Sequence, residues 1–353
     1  MAIEYKKNKV KCDIGSYIHL IRGVRKSGKT TLFRDLLIEE YGSTDYGVQI
    51  AIGNETGADA LDELYTASAE NWEKLMEIKD DLIDNRKDRN FKLICLDTVD
   101  ELIKIAIVEV MRIHKKANGG TAAVSLNAAL GGYGAGRKKV EELIDNLLAD
   151  LRHAGYGIFL IGHTKLKDVK EKNGDEYQQL TSNLSSDYDG IFANKADVIM
   201  TISIDKTIEN GIITGTKRYM HFRDDGFVDC GSRFRGMVDK CEYGARNYID
   251  AFENGVKSSM VKPLSDKEIK KQKQAEESQR AESGIAFSQS AKSNKVNIDR
   301  NEEIIAEIKT KFTEASDTIQ AAVKIQMQKV GLSNFKDVEV PTEALESVLA
   351  VLA

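Results

Sequence analysis

One stretch constrains this chain more than any other: GVRKSGKT, residues 23–30, fits the pattern GxxxxGK[ST]. An apolar run, residues 17–21, stands ahead of it, and an amphipathic segment with Leu32, Phe33, Leu36 and Leu37 follows. That order predicts a strand, a tight turn and a helix. The glycines allow successive backbone N–H groups to turn inward, and the helix N-terminus adds partial positive charge, so the turn suits a phosphate. Gly23, Val24, Arg25, Lys26, Ser27, Gly28, Lys29, Thr30 and Thr31 therefore read as a nucleotide cradle. Lys29 is expected to bridge β- and γ-phosphates and the Thr30 hydroxyl to bind Mg²⁺, which makes ATP and Mg²⁺ the expected cofactors.

The segment up to residue 262 alternates short apolar runs with amphipathic helices, the mark of a parallel sheet covered on both faces. The predicted strands are 17–21, 48–52, 91–96, 158–162 and 197–204, and the predicted helices 30–41, 70–85, 100–116 and 138–154. Asn210-Gly211 between two β-rich runs signals an antiparallel hairpin at the sheet edge. The fold class is thus α/β, a mainly parallel sheet with an edge hairpin.

In such a sheet the ligand lies at the carboxyl ends of the strands. KLICLD delivers Asp97 there as the Mg²⁺-side carboxylate, while Asp100 reads as a helix cap. VQIAIGNETG delivers Glu55, a candidate base for the attacking water, against the alternative of a solvated loop glutamate. GIFLIGHTK delivers His163 and Thr164 toward the γ-phosphate; the alternative is a capping Thr with an incidental His.

Composition excludes several classes. The 353 residues are 41% hydrophobic and 30% charged with net charge -5, so no bulk attraction draws the chain to nucleic acid or anionic lipid, and a DNA contact needs a local patch. No apolar run spans a bilayer and MAIEYKKNKVK lacks an apolar leader, so a cytoplasmic protein without a membrane partner is expected. Cys12, Cys95, Cys230 and Cys241 are scattered and read as free thiols; with His221 the last two fit no usual zinc spacing. Both prolines follow residue 260 and the composition turns polar there, which predicts an ATPase domain over 1–262, a polar linker over 263–299 and a helical C-terminal module over 300–353.

With four strand tips in this order, the chain resembles the RecA-like P-loop ATPases, and within them the phage-encoded nucleotide-binding proteins of single-strand annealing and recombination. The resemblance covers about residues 15–255 and rests on GVRKSGKTT, NETG, LICLDTVDEL, LGGYGAGRKK, GHTK and SRFRGM. It implies a RecA-like core with Lys29, Glu55, Asp97 and His163 as catalytic residues, His163 coupling γ-phosphate state to a DNA-contacting loop. It maps the DNA-contacting loops to two irregular stretches, 115–139 and 165–187, where Tyr133, Arg137, Lys138, Lys165 and Lys167 are DNA-binding candidates and Tyr177 a second stacking residue. Arg233 and Arg235 either complete a neighbour's ATP site in a homo-oligomer or form ion pairs at a strand end. The implied function is a DNA-dependent ATPase that anneals or pairs single-stranded DNA in a bacterial host cytosol. The alternative is a nucleotide-switched replisome-assembly or helicase-loading factor that meets a single-strand-binding or other replication protein through its C-terminal module, and a weaker third reading is a small-molecule kinase.

Overall fold

The computed structural model describes residue 5, residues 7–332, residues 334 and 338, and residues 340–352, so part of the MAIEYKKNKVK stretch lies outside the described residues. The chain divides into two compact units, Met1–Ile285 and Ala286–Ala353.

In the first unit β1 (Ile18–Gly23) runs into the glycine turn, and α1 (Lys29–Tyr41) leaves it. Next come β2 (Gly47–Ile52), β3 (Tyr65–Ala69), α2 (Trp72–Asp84), β4 (Leu93–Asp97), α3 (Val99–Ala117), α4 (Ala135–His153), β5 (Gly157–Lys170), β6 (Glu176–Ser182) and α5 (Ser186–Ala193). Then follow β7 (Val198–Glu209), β8 (Ile212–His221), β9 (Gly231–Ser232), β10 (Lys240–Glu242), α6 (Ala245–Ser258) and the start of α7 (Asp266–Glu314). Among the described residues the strands form one ten-stranded sheet, ordered β10-β8-β7-β1-β5-β4-β2-β3, with β6 on β5 and β9 on β7. The run from β7 to β3 is parallel, and β7–β8 is an antiparallel hairpin closed by Asn210 (φ 50°) and Gly211 (φ 78°). This is the expected α/β P-loop fold with its edge hairpin.

Alternation along the strands sorts the core. Ile21, Phe159, Ile161, Val198 and Met200 pack with Leu32, Phe33 and Leu36 of α1 and Tyr248 and Phe252 of α6. On the other face α3 and α4 meet each other and β5. Their apolar stripes, Leu102, Ala106 and Val110 on α3 and Val140, Ile144 and Leu151 on α4, are buried.

Three expectations need correction. The stretch 165–187, read as irregular, is mostly the β5–β6 hairpin, in which Leu166 faces Leu180 and the chain reverses near Gly174 (φ 95°). The stretch 115–139 contains the end of α3, a 3₁₀ turn at Leu126–Gly131 and the start of α4. The segment 263–299 is no free linker, because α7 runs through it unbroken and the unit boundary falls at 285/286. Its Lys, Gln, Glu and Ala residues favour helix, and its first half is held by polar contacts that apolar periodicity does not reveal. Glu276 accepts the Cys12 and Asp13 N–H groups at 2.8 Å, Lys273 pairs with Glu40 at 2.6 Å and Glu253 at 2.7 Å, and Arg280 pairs with Asp13. Strand β3 was also unread, since YTASA is small, polar and largely exposed.

The second unit holds α8 (Asp317–Lys329) and α9 (Thr342–Leu349), which with the end of α7 bury Ile304, Ile305, Ile308, Val323, Leu345 and Val348 in a cluster of their own. Among the described residues no helix is long and apolar enough to cross a membrane.

His19 of β1 lies fully buried, stacked on Phe159 at 4.5 Å. Its Nε2–H donates to the Ile14 carbonyl at 2.9 Å and its Nδ1 accepts from the Tyr248 hydroxyl at 2.7 Å, which fixes a neutral ring. Burial pulls its pKa from 6.5 down to about 4. The unfolded chain then binds a proton that the native chain refuses, so stability is lost as pH falls from 6.5 toward 4. Between pH 6.5 and about pH 4.5 this one group is expected to remove about 2 kcal/mol. Chemical denaturation at the two pH values should show a shallower loss for His19→Gln than for the native chain; an equal loss would refute the assignment.

Candidate nucleotide site

The register of the parallel strands assembles the site. Gly23 lies beside His163, and Asp97 lies between Ile161 and Ala51, so the tips of β1, β5, β4 and β2 share one edge. They open on a cleft of about 590 Å³ lined by Lys29, Glu55, Asp97 and His163, together with Arg25, Lys26, Gly28, Thr30, Thr31, Thr56 and Gly57. All four residues expected to be catalytic thus meet in one place. Gly23, Val24 and Ser27 do not line the cleft.

Two glycines are required by geometry. Gly28 sits at φ 99°, and a Cβ there would fall 2.6 Å from the Tyr243 hydroxyl; a Cβ on Gly23 would fall 2.5 Å from Ser27 Oγ. The outer side of the turn is held by residues that sequence reading missed. Arg218 of β8 donates to the Ser27 carbonyl at 3.2 Å, and the Tyr243 hydroxyl donates to the Gly28 carbonyl at 2.8 Å, with the guanidinium 4.2 Å over the Tyr243 ring. In a trans peptide C=O and N–H point opposite ways, so fixing these carbonyls outward turns the Gly28 and Lys29 N–H groups the other way. Arg218 sits inside the edge hairpin and Tyr243 after β10, and neither matches a local motif.

Among the described residues Lys29 has no direct ion pair. The residue is 6% exposed, and its ammonium donates to the Gly23 and Val24 carbonyls at 3.0 Å each. Burial lowers its pKa, while Asp97, Asp100 and Glu55 oppose that shift. Asp97 Oδ2 accepts from Thr30 Oγ1 at 2.8 Å and from Gln49 Nε2 at 2.9 Å. Burial raises the Asp97 pKa, and the bonds from Thr30 and Gln49 and the Lys29 charge restrain the rise. Glu55, half-buried, is raised by burial first and by Asp97 next. Gln49 was readable only as one polar residue inside the apolar strand VQIAI.

Asp100 does not cap α3. Thr98 does, accepting the Glu101 N–H at 3.3 Å, and the Asp97–Thr98 peptide is cis. Asp100, 8% exposed, instead accepts from the His163 N–H and from the Asn183 side-chain amide, each at 3.0 Å, and lies 3.4 Å from His163 Nδ1. Burial would raise its pKa, but the bonds from His163 and Asn183 outweigh it and the net shift is downward.

The donor set fits a nucleotide with Mg²⁺. A buried ammonium and a glycine turn face the cleft, and the hydroxyl of Thr30 and the carboxylate of Asp97 supply adjacent oxygens of the kind a hard cation takes. The remaining candidates lie elsewhere. Tyr133 is fully exposed, Arg137 pairs with Asp187 at 3.0 Å, and Lys138 is exposed at the start of α4. Lys165 Nζ donates to the Asn183 carbonyl at 3.1 Å, and Lys167 is exposed on β5. Arg233 pairs with Asp197 at 3.0 Å at the opposite end of the sheet, beside the start of β7, and Arg235 is exposed nearby. Within one chain neither arginine lines the cleft.

A family model described as AAA domain matches residues 16–234. Among solved structures, a KaiC-like protein of the hyperthermophilic archaeon Pyrococcus horikoshii is similar at 15% identity, over 61% of this chain and 88% of that one, with a TM-score of 0.35. No curated protein matches. The match over more than half of its length places the chain in the AAA domain family, and it is a nucleotide-binding P-loop ATPase.

Gln49 provides a direct check on the cleft electrostatics. Replacing it with Leu removes a donor that holds the Asp97 pKa down, so the acid limb of the pH–rate profile for ATP hydrolysis should move to higher pH. A profile superimposable on the native one would mean that Asp97 ionisation does not govern turnover.

Proposed function

We propose that this AAA-domain chain is an ATP- and Mg²⁺-dependent ATPase of the phage recombination type, which anneals or pairs single-stranded DNA in the bacterial cytosol. The observation that carries the reading is the Asp100 link. The β5–β6 hairpin has two roots, His163 and Asn183, joined by the Asn183 N–H to His163 carbonyl bond at 2.8 Å, and Asp100 binds both at the rim of the cleft. A change sensed at His163 is therefore felt at the base of a hairpin bearing Lys165, Lys167, Lys170 and Lys172. Of these, Lys170 is paired with Glu176 at 2.7 Å, while Lys167 and Lys172 stand exposed to meet phosphates. Tyr177, 5.6 Å from the exposed Phe227 ring, offers an aromatic face on the same hairpin.

In this reading Lys29 holds the β- and γ-phosphates, Thr30 and Asp97 hold Mg²⁺, and Glu55 orients the attacking water and takes its proton. Bound Mg²⁺ supplies neutralisation of the phosphate charge. A raised Glu55 pKa suits a base that must accept a proton near neutrality. A second reading, the nucleotide-switched assembly factor, is favoured by the separate apolar cluster of the second unit, which gives the chain a module of its own for a partner.

Steady-state ATP hydrolysis with and without single-stranded DNA separates the two. Stimulation by DNA is expected, lost in Lys29→Ala together with all turnover, and lost in Lys167→Glu with basal turnover retained. ATP binding without any DNA stimulation would remove the recombination reading and favour the assembly factor. Glu55→Gln should still bind ATP while turnover falls by about 10²–10⁴-fold; native turnover in that variant would take the base away from Glu55.

A further inference from the structure

At the end of the sheet opposite the nucleotide cleft, residues 86–92, Tyr46, Gly155 and the first half of α7 enclose a cavity of about 320 Å³. Five cations line it, Arg86, Lys87, Arg89, Lys92 and Arg280, against one carboxylate, Glu277. Three of them have carboxylate partners: Lys92 with Glu277 at 2.7 Å, Arg89 with Asp81 at 2.6 Å, and Arg280 with Asp13.

Arg86 has none among the described residues, although only 6% of it is exposed. Its Nε donates to the Ala154 carbonyl at 2.7 Å, its Nη1 donates to the Arg89 carbonyl at 3.1 Å, and its guanidinium lies 4.5 Å over the Tyr156 ring. These contacts hold the group in place but bring no negative charge. Among the described residues, Arg89 Nε and Arg280 Nε are moreover buried donors without an acceptor. Around one cavity, then, Arg89 and Arg280 each keep a buried donor unmet and Arg86 has no negative charge beside it.

The walls are fixed by close backbone approach. A Cβ on Gly155 would fall 2.2 Å from the Arg280 carbonyl oxygen, and one on Gly284 would fall 2.0 Å from that of Ala154. A buried arginine without a counter-ion is costly, and guanidinium is the group that best matches an oxyanion. The donors come from two elements, the segment after α2 and α7, which suits a tetrahedral group with acceptors in several directions better than a planar carboxylate.

We infer that this cavity binds the phosphoryl group of a small molecule, anchored by Arg86, with Arg280 on α7 and the exposed Lys87 contributing charge. The occupant bridges the end of α2 to α7 and so strengthens the docking of α7 on the sheet. The volume exceeds that of free phosphate, which leaves room for an organic part beside Tyr46 and Phe91.

The test uses the full chain carrying Lys29→Ala, so that the phosphate loop is silenced, and titrates inorganic phosphate by calorimetry at constant ionic strength. Saturable binding is expected, with a rise in Tm. Adding Arg86→Gln, or independently Lys87→Glu, should weaken it by about tenfold or more. Because Lys87 is exposed, its variant reads the site even where Arg86→Gln fails to fold. Absence of saturable binding, or binding that Lys87→Glu leaves unchanged, would overturn the assignment. So would binding of a single-stranded oligonucleotide at this site with no binding of phosphate, since that identifies a nucleic-acid contact instead.

Discussion

The rest of the structure depends on one electrostatic arrangement: a buried ammonium and a buried carboxylate set at the same sheet edge without neutralising each other directly. Lys29 spends its hydrogen bonds on the Gly23 and Val24 carbonyls, and Asp97 spends its own on Thr30 and Gln49. Desolvation opposes the charged form of both. Neutral dipoles and the other group's field work against that burial in each case, and among the described residues neither forms a salt bridge. A cleft built this way has much to gain from a polyanion with its cation, because each charge then acquires a close partner at a site already desolvated.

Holding that arrangement demands stiffness on every side, and the neighbouring elements supply it in different ways. The inner strands are buried on both faces and fix the registers that set Gly23 beside His163 and Asp97 beside Ile161, two residues earlier on β5. The turn itself is clasped from outside by Arg218 on β8 of the edge hairpin and by Tyr243 just after β10. One residue before Gly23, Arg22 is almost fully buried and bonds Asp189 of α5 at 2.6 Å and Asp229 at 3.1 Å. A buried cation in that setting is tied down on two sides, which anchors the residue just before Gly23.

What was legible in the sequence is what local pattern encodes. Alternating apolar runs gave the parallel strands, and the glycine-lysine turn gave the cradle, because both signals lie within a few consecutive residues. The tips Glu55, Asp97 and His163 were readable since each directly follows such a run. Gln49, Arg218, Tyr243 and Asn183 were not, because their meaning comes from partners 48, 191, 215 and 83 positions away in the chain. The same reason explains α7. Its polar residues look solvated until Glu276 is seen to take the Cys12 and Asp13 N–H groups, contacts 264 and 263 positions apart.

Strand β5 shows how the site and the surface beyond it become one element. It enters the sheet between β1 and β4, passes His163 at the cleft, and continues without a break to Lys170 as half of a hairpin. A loop at this position would let the residue after the strand move freely. A continuous strand paired along seven positions with β6 instead moves largely as a unit about its base. That base is where Asp100 holds both roots, on the helix that starts next to Asp97. Any shift of His163 relative to Asp97 must therefore either strain the Asp100 bonds or carry the hairpin with it, and a buried carboxylate stripped of its donors is the more costly of the two.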